Sequence, residues 1–166
     1  MNRFVESSAV ALTLFAASCA SPEQSTLPPG PNIPIVRLRA EPYSFEFSSG
    51  LNTPARLVVR DPVAWQSLWT QLYERRSPVP PVPAVDFSRE MLVVAALGVR
   101  SSGGYVILID GASGEGSNVT VAVRSISPGQ GCAVTGALTQ PVDIARLPRR
   151  DGDVRFLERS EVRECN

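Results

Sequence analysis

The sequence predicts a small α+β domain, in which one curved antiparallel β-sheet or a compact β-sandwich packs against a single α-helix. Three observations indicate this class. Segments in which apolar and polar residues alternate, as in half-buried strands, recur along the 166 residues. One helical pattern begins at Pro62, and the continuous apolar run from Met91 to Gly98 is typical of a strand buried on both faces. The length fits one domain, and the order of the strands does not follow from the pattern.

The N-terminal 40 residues are predicted to comprise a lipoprotein signal peptide, 1–18, and a Pro-rich tether, 19–40. The apolar stretch Ala9–Ala17 is too short to span a bilayer core of about 30 Å as a helix. Small residues precede Cys19, which resembles the lipidated cysteine of the bacterial lipobox; an ordinary secretory signal with an incidental cysteine is the alternative. We therefore expect a lipid on Cys19 to anchor the chain in the bacterial cell envelope. Ala20 after it indicates the outer membrane, by resemblance to enteric lipoproteins.

The single globular domain is predicted over residues 41–166. It begins with a strand in which Tyr43, Phe45 and Phe47 alternate with polar residues, and a second strand follows at Arg56–Arg60. The alternation puts the three aromatic side chains on one face, which we expect to be buried.

The one clear helix is predicted from Pro62 to about Glu74. Asp61 is a favoured N-cap residue. Pro62 fits the first helical position, because a backbone N–H at this position would have no acceptor within the helix. Four apolar residues at helical spacing form one face: Trp65, Leu68, Trp69 and Leu72. We expect this face to anchor the core, and a small-molecule pocket beneath the two Trp side chains is the alternative.

The stretch from Met91 to Asp110 is predicted to be a β-hairpin. Its first strand is the apolar run, and its turn is Ser101–Tyr105. The Pro-rich segment Ser77–Pro83, between the helix and this hairpin, is expected to be extended. Gly111–Ser117 is expected to be a polar turn, because its glycines lack the spacing of a dinucleotide-binding motif.

Further strands are predicted in the C-terminal third. Val119–Val123 has a valine at every second position, which is typical of a half-buried strand. Residues 133–147 are expected to form another strand pair or one bent strand, with Pro141 at an edge or a bulge. Val154–Leu157 is expected to be a last short strand.

Cys132 and Cys165 are expected to form a disulfide, because an exported chain reaches an oxidising compartment and Cys19 is assigned to the lipid. The bond would hold the C-terminal tail against the loop after the valine strand. A redox-active thiol pair is the alternative, which the lack of a Cys-x-x-Cys spacing disfavours.

The charged residues exclude several classes of function. Sixteen basic and sixteen acidic residues give no net charge, which favours neither nucleic acid nor an anionic membrane surface as a partner. All basic residues are Arg, and the absence of His and Lys excludes His-based triads, Ser-Lys dyads, Schiff-base lysines and His-containing zinc sites. No cofactor and no metal is implied. An enzyme would need paired carboxylates, for which four acids are available: Asp86, Glu90, Asp110 and Glu115.

A set of motifs in fixed order resembles the PrcB C-terminal domain family over roughly residues 57–148. The motifs are Trp65…Trp69, Asp86-Phe87-Ser88, Met91–Gly98, Ser102-Gly103-Gly104-Tyr105, Ser127-Pro128-Gly129 and Leu138-Thr139-Gln140-Pro141-Val142. The resemblance implies an exported lipoprotein, since family members often are, and the founding member is associated with a surface protease complex whose assembly or stability it is thought to aid. It implies no catalytic residues.

We therefore expect a non-catalytic envelope domain that binds or stabilises another envelope protein, with a protease complex among the candidates. The expected contact loop is Ser102, Gly103, Gly104 and Tyr105, because glycines allow close backbone approach and a tyrosine supplies an amphipathic anchor. A tight turn that requires positive φ is the structural alternative for these glycines. The same loop is similar to one in chagasin-like protease inhibitors, so protease inhibition is an alternative function, as is small-molecule binding.

Overall fold

Eight strands and one helix make up the part of the chain that the computed structural model describes, residues 30–38 and 48–165. In chain order they are β1 (Asn32–Ile33), β2 (Val36–Arg37), β3 (Pro54–Val59), α1 (Pro62–Leu72), β4 (Glu90–Leu97), β5 (Val106–Glu115), β6 (Asn118–Pro128), β7 (Val142–Pro148) and β8 (Val154–Arg163). Sheet A has the order β1-β5-β6-β8, and sheet B has the order β2-β7-β4-β3. The α+β class is therefore confirmed, in its sandwich form. Every strand pair within the two sheets is antiparallel except β6–β8, which is parallel. The expectation of purely antiparallel pairing is therefore wrong for this pair.

Strand β4 is buried on both faces, as its apolar run predicted. Met91, Val93 and Ala95 pack into the core between the two sheets. The alternate residues point the other way, into a second core between sheet B and the helix; these are Leu92, Val94 and Ala96. All six side chains are 0% exposed. The molecule thus has three layers, sheet A, sheet B and helix α1, with β4 in the middle layer.

Helix α1 begins where its capping residues predicted. The Asp61 side chain accepts a hydrogen bond from the backbone N–H of Ala64 at 2.8 Å, and Pro62 occupies the first helical position. The predicted apolar face is buried against sheet B. The indole N–H groups of Trp65 and Trp69 donate to the carbonyls of Pro83 and Pro80, each at 2.9 Å. The Pro-rich segment after the helix therefore packs beside the two indole rings of this core.

The predicted hairpin at Met91–Asp110 is wrong, because β4 belongs to sheet B and β5 belongs to sheet A. Residues 98–105 cross from one sheet to the other. Gly98 has φ +70°, and a Cβ there would lie 2.8 Å from the backbone of Thr53 and Pro54. The chain can therefore leave sheet B at this point only with glycine.

The predicted turn at Gly111–Ser117 is also wrong over most of its length. Strand β5 continues to Glu115, with an irregular register between Ile109 and Gly111. The turn itself comprises only Gly116 and Ser117. A Cβ at Gly114 would lie 2.7 Å from Ile33 Cδ1, so the small residues of this segment make room for β1 rather than for a loop.

The described part of the predicted tether, residues 30–38, lies against the sandwich. Strand β1 pairs with β5 and strand β2 pairs with β7, so this segment joins both sheets. Ile33 is 6% exposed and lies in the core between the sheets. The globular part therefore begins earlier than the predicted boundary at residue 41. Cys19, the rest of the N-terminal segment and the strand predicted at Tyr43–Phe47 lie outside the described residues.

The C-terminal strand β8 is longer than the predicted Val154–Leu157. It pairs with β6 over its full length and forms the edge of sheet A. Half of its side chains are charged, since an edge strand buries few of its residues. The sequence therefore lacks the apolar alternation that would have predicted the full strand. Within residues 133–147, β7 is the described strand, and Pro141 directly precedes it.

Truncation of a β4 side chain that faces the helix should lower the free energy of unfolding far more than truncation of a surface leucine. Leu92 is 0% exposed, so Leu92→Ala should lower the free energy of unfolding by about 2–5 kcal/mol. Leu157→Ala is the matched control, because Leu157 is 49% exposed, and it should change the same quantity by about 0.5 kcal/mol or less. Urea unfolding of both variants measures the difference, and equal losses would contradict the three-layer packing.

Stability should fall at alkaline pH because of Tyr73, at the end of α1. Burial raises the pKa of this phenol from 10.0 to about 12, and the nearby Arg76 charge opposes the rise. The unfolded chain ionises first, so the free energy of unfolding should decrease as pH rises from 10 towards 12. Tyr73→Phe should flatten this dependence. Equal pH slopes in the wild-type protein and the variant, measured by urea unfolding, would show that Tyr73 is not the cause.

Candidate functional site

Two loops pack against each other at one end of the sandwich. The first, residues 98–105, contains the Gly-Gly-Tyr motif, and the second, residues 129–141, follows β6. Arg100 and Thr139 exchange two backbone hydrogen bonds, at 2.8 and 3.0 Å. The Gly103 N–H donates to the carbonyl of Thr135 at 2.9 Å, and the Thr139 hydroxyl donates to the carbonyl of Ser102 at 2.8 Å. The two loops therefore form one connected surface.

The two glycines of the predicted contact loop serve this packing. Gly103 is buried, and a Cβ there would collide with Thr135 Oγ1. Gly104 has φ +86°, and a Cβ there would lie 2.9 Å from Val134 Cγ1 and 3.1 Å from Pro128 Cβ. Both positions thus require glycine for contacts within the domain.

Tyr105 is half-buried and packs against the core between the sheets. The Arg100 guanidinium lies 5.6 Å from the centre of its ring, within cation–π distance. Ser102 is also half-buried, and its hydroxyl lies 3.2 Å from the carbonyl oxygen of Gly103. Of the four predicted contact residues, Ser102 and Tyr105 thus keep a partly exposed side chain.

Exposed apolar side chains lie on these loops. One of them, Leu138, belongs to a family motif of the sequence, but none was predicted to be a contact residue. Leu138 is 74% exposed, Val99 is 43% exposed and Val134 is 42% exposed. Val99 and Leu138 each directly precede a residue of the hydrogen-bonded pair Arg100 and Thr139, one on each loop. We call these three side chains the apolar end surface. Apolar residues in loops are common, so the sequence carries no signal that separates them from ordinary loop residues.

The predicted disulfide between Cys132 and Cys165 is present, with the two Cα atoms 4.9 Å apart. Beside it, the Gly129 N–H donates to the carbonyl of Arg163 at 2.8 Å. The disulfide therefore ties the second loop to the end of β8, which holds the loop in place from its other side.

A cleft of about 180 Å³ lies beside Tyr105, between β6 and the end of β8. Its lining consists of Leu97, Arg100, Tyr105, Ser125, Ile126, Ser127, Ser160 and Glu161. The lining combines hydroxyl groups, one guanidinium and the carboxylate of Glu161 with apolar side chains. Such a cleft can accept a polar group by hydrogen bonding.

An ion-pair network covers the outer face of sheet A next to this cleft. Arg124 donates to both carboxylate oxygens of Asp110, each at 2.8 Å, and its Nη1 lies 3.3 Å from Glu161. Hydrogen bonding to Asp110 is the main cause that raises the pKa of Arg124 above its usual value. Arg159 lies 3.0 Å from Glu161 and 3.7 Å from Asp110. The carboxylates of Asp110 and Glu161 are therefore compensated within the domain.

The other carboxylates considered for catalysis lie elsewhere. Glu90 pairs with Arg146 at 3.4 Å, and Glu115 is exposed at the end of β5. Asp86 accepts hydrogen bonds from the hydroxyl and backbone N–H of Ser88, which lower the pKa of its carboxyl group. The four acids thus do not gather around one cleft.

Trp65 and Trp69 are 2% and 1% exposed, and their rings contact each other with centroids 5.1 Å apart. Their burial assigns them to packing. Within residues 30–38 and 48–165, His, Cys, Asp and Glu form no group of three or more that could hold a metal ion. No helix in the same part of the chain is long and apolar enough to cross a membrane.

The fold and this loop-built end define a β-sandwich with a helical cover. Residues 91–148 match the family model described as PrcB C-terminal. This range runs from β4 to β7 and includes both loops of the end surface, so the resemblance predicted from the motifs is confirmed over it. The predicted extension back to residue 57 lies outside the matched range. No curated protein and no solved structure matches the chain.

Loss of the disulfide should destabilise the domain without removing its core. The bond joins residues separated by 33 positions, for which the chain-entropy model gives about 3.5–4 kcal/mol. A Cys132→Ser, Cys165→Ser double variant should therefore unfold at lower urea concentration, by a free energy of that size. Wild-type protein in excess dithiothreitol should match the double variant. Unchanged unfolding in both samples would show that the bond does not constrain the unfolded chain.

Proposed function

We propose that this chain is a non-catalytic lipoprotein domain of the bacterial cell envelope that binds or stabilises another envelope protein. A lipid on Cys19 would anchor it in the outer membrane, and a protease complex is the candidate partner that the family resemblance implies. The match at residues 91–148 supports the proposal through the family, and the lipid anchor rests on the sequence around Cys19.

The observation that carries the proposal is the apolar end surface. Single exposed apolar side chains are ordinary on protein surfaces, but Val99, Val134 and Leu138 lie on two loops that hydrogen-bond to each other. A partner that covered Leu138 would remove a largely exposed leucine from water, which contributes about 1.5–3 kcal/mol for full burial. Exposed apolar side chains on neighbouring loops give a partner protein apolar area to cover.

The rigidity of the two loops supports the same function. Gly103 and Gly104 let the loops touch, and the disulfide at Cys132 holds the second loop to β8. A surface that is already ordered loses less conformational entropy on binding than a mobile one. The predicted role of the glycines thus changes from direct contact to support of the contact surface.

Substitution in the end surface should abolish partner capture, while the same substitution elsewhere should not. Leu138→Gln and Val63→Gln are matched, because both side chains are 74% exposed and Val63 lies on helix α1, in a different layer. The lipidated proteins are crosslinked mildly in their native envelope and purified. We expect a stoichiometric partner with wild type and Val63→Gln, and at least a tenfold smaller yield with Leu138→Gln.

Equal yields with both variants would contradict the proposed surface. A thermal unfolding curve of each variant shows whether it is folded, and substitutions at such exposed positions should change stability by about 0.5 kcal/mol or less. These variants are preferable to a change at Gly104, where positive φ and close contacts would disturb both loops.

A further inference from the structure

The Arg100 side chain lies in the cleft beside Tyr105 without an acidic partner among the described residues. Its Nη2 donates to the carbonyl of Leu97 at 3.0 Å, and its guanidinium faces the Tyr105 ring. Its Nε is buried and has no hydrogen-bond acceptor in the described part of the chain. A buried donor that lacks an acceptor destabilises a protein, and more so when the donor is charged.

Neighbouring arginines differ from Arg100 in this respect. Arg124 pairs with Asp110, Arg159 pairs with Glu161, and Arg56 pairs with Glu158. Arg100 therefore forms no ion pair with a carboxylate that the structure describes; Glu161, which lines the same cleft, pairs with Arg124 and Arg159. The Arg100 guanidinium lines the cleft, and its planar N–H groups match the geometry of a carboxylate, which accepts from such groups.

The rest of the cleft provides room and further hydrogen-bonding groups. Ser125 and Ser160 share a hydrogen bond at 3.0 Å, and the Ser127 hydroxyl donates to the carbonyl of Glu161 at 3.4 Å. The carboxylate of Glu161 also lines the cleft, but Arg124 and Arg159 compensate its charge. The volume of about 180 Å³ is below the roughly 300–1,000 Å³ of pockets that enclose a drug-sized ligand. The cleft therefore has room for one side chain or one chain terminus.

We propose that this cleft binds a carboxylate group of a polypeptide, with Arg100 as the residue that holds the anion and Tyr105 as the wall of the site. A C-terminal carboxylate and an Asp or Glu side chain both carry this chemistry, and the experiment distinguishes them. The inference deepens the proposed function and rests on it for the identity of the polypeptide, because Arg100 of the cleft directly follows Val99 of the apolar end surface.

The test is an NMR titration that observes the Nε–Hε resonance of Arg100 in the isotope-labelled protein. Three probes are compared. N-acetylglycine represents a chain terminus, N-acetylaspartic acid α-amide represents a side-chain carboxylate, and N-acetylglycinamide is the uncharged control. We expect a saturable shift with at least one carboxylate probe, with a dissociation constant on the order of 1 mM. N-acetylglycinamide should give no saturable shift.

Two variants assign the binding to Arg100. Arg100→Gln should weaken binding of the effective probe at least tenfold, as followed by backbone amide shifts around Ser127. Arg155→Gln removes the same charge from an exposed position on β8 outside the cleft and should leave the affinity unchanged within about twofold. If Arg100→Gln does not fold, the titration of wild-type protein with the three probes decides alone.

Three results would overturn the proposal: no saturable shift with either carboxylate probe, an equal shift with N-acetylglycinamide, or equal weakening in both arginine variants. These results are separable from those of partner capture. Probe binding that fails while Leu138→Gln still loses the partner would reject only the carboxylate site. Probe binding that succeeds while Leu138→Gln keeps the partner would reject only the proposed docking surface.

Discussion

The burial of β4 on both faces is the constraint on which the rest of the structure depends. A strand with apolar residues at every position must pack against other elements on both of its faces. A single sheet with one helix would bury only one of these faces. Sheet A covers one face of β4 and helix α1 covers the other. The chain leaves sheet B directly after Leu97, and residues 98–105 form a crossing between the sheets rather than a hairpin turn. The position of the candidate site follows from this crossing.

Polar side chains complete the sandwich where its strands leave backbone groups uncovered. Strand β1 pairs with β5 only at Ala112 and Ser113. At Ile109, Asp143 of sheet B accepts from the backbone N–H at 2.7 Å, and Arg37 donates to the carbonyl at 2.8 Å. Arg37 and Asp143 are themselves paired at 3.0 Å, so neither charge is left alone between the sheets. A buried backbone group without such a partner would be destabilising.

Local signals in the sequence predicted local structure well. The cap at Asp61 and the apolar run of β4 act within a few residues, so they could be read directly. The membership of β4 and β5 in different sheets could not be read, because small residues in a connection fit a hairpin and a crossing equally well. The isolation of Arg100 was likewise hidden, since whether an arginine has a carboxylate partner depends on residues far along the chain, such as Glu158 for Arg56.

The same separation explains why the sequence could not show what the glycines of the Gly-Gly-Tyr motif pack against. Glycine is selected where backbone approaches another part of the molecule closely, and sequence alone does not say whether that part is a partner or the same chain. Here Thr135 and Val134 of the second loop occupy the space beside Gly103 and Gly104. The side chains that this packing leaves outside include Leu138, and the neighbouring cleft contains the guanidinium of Arg100, whose Nε has no acceptor among the described residues.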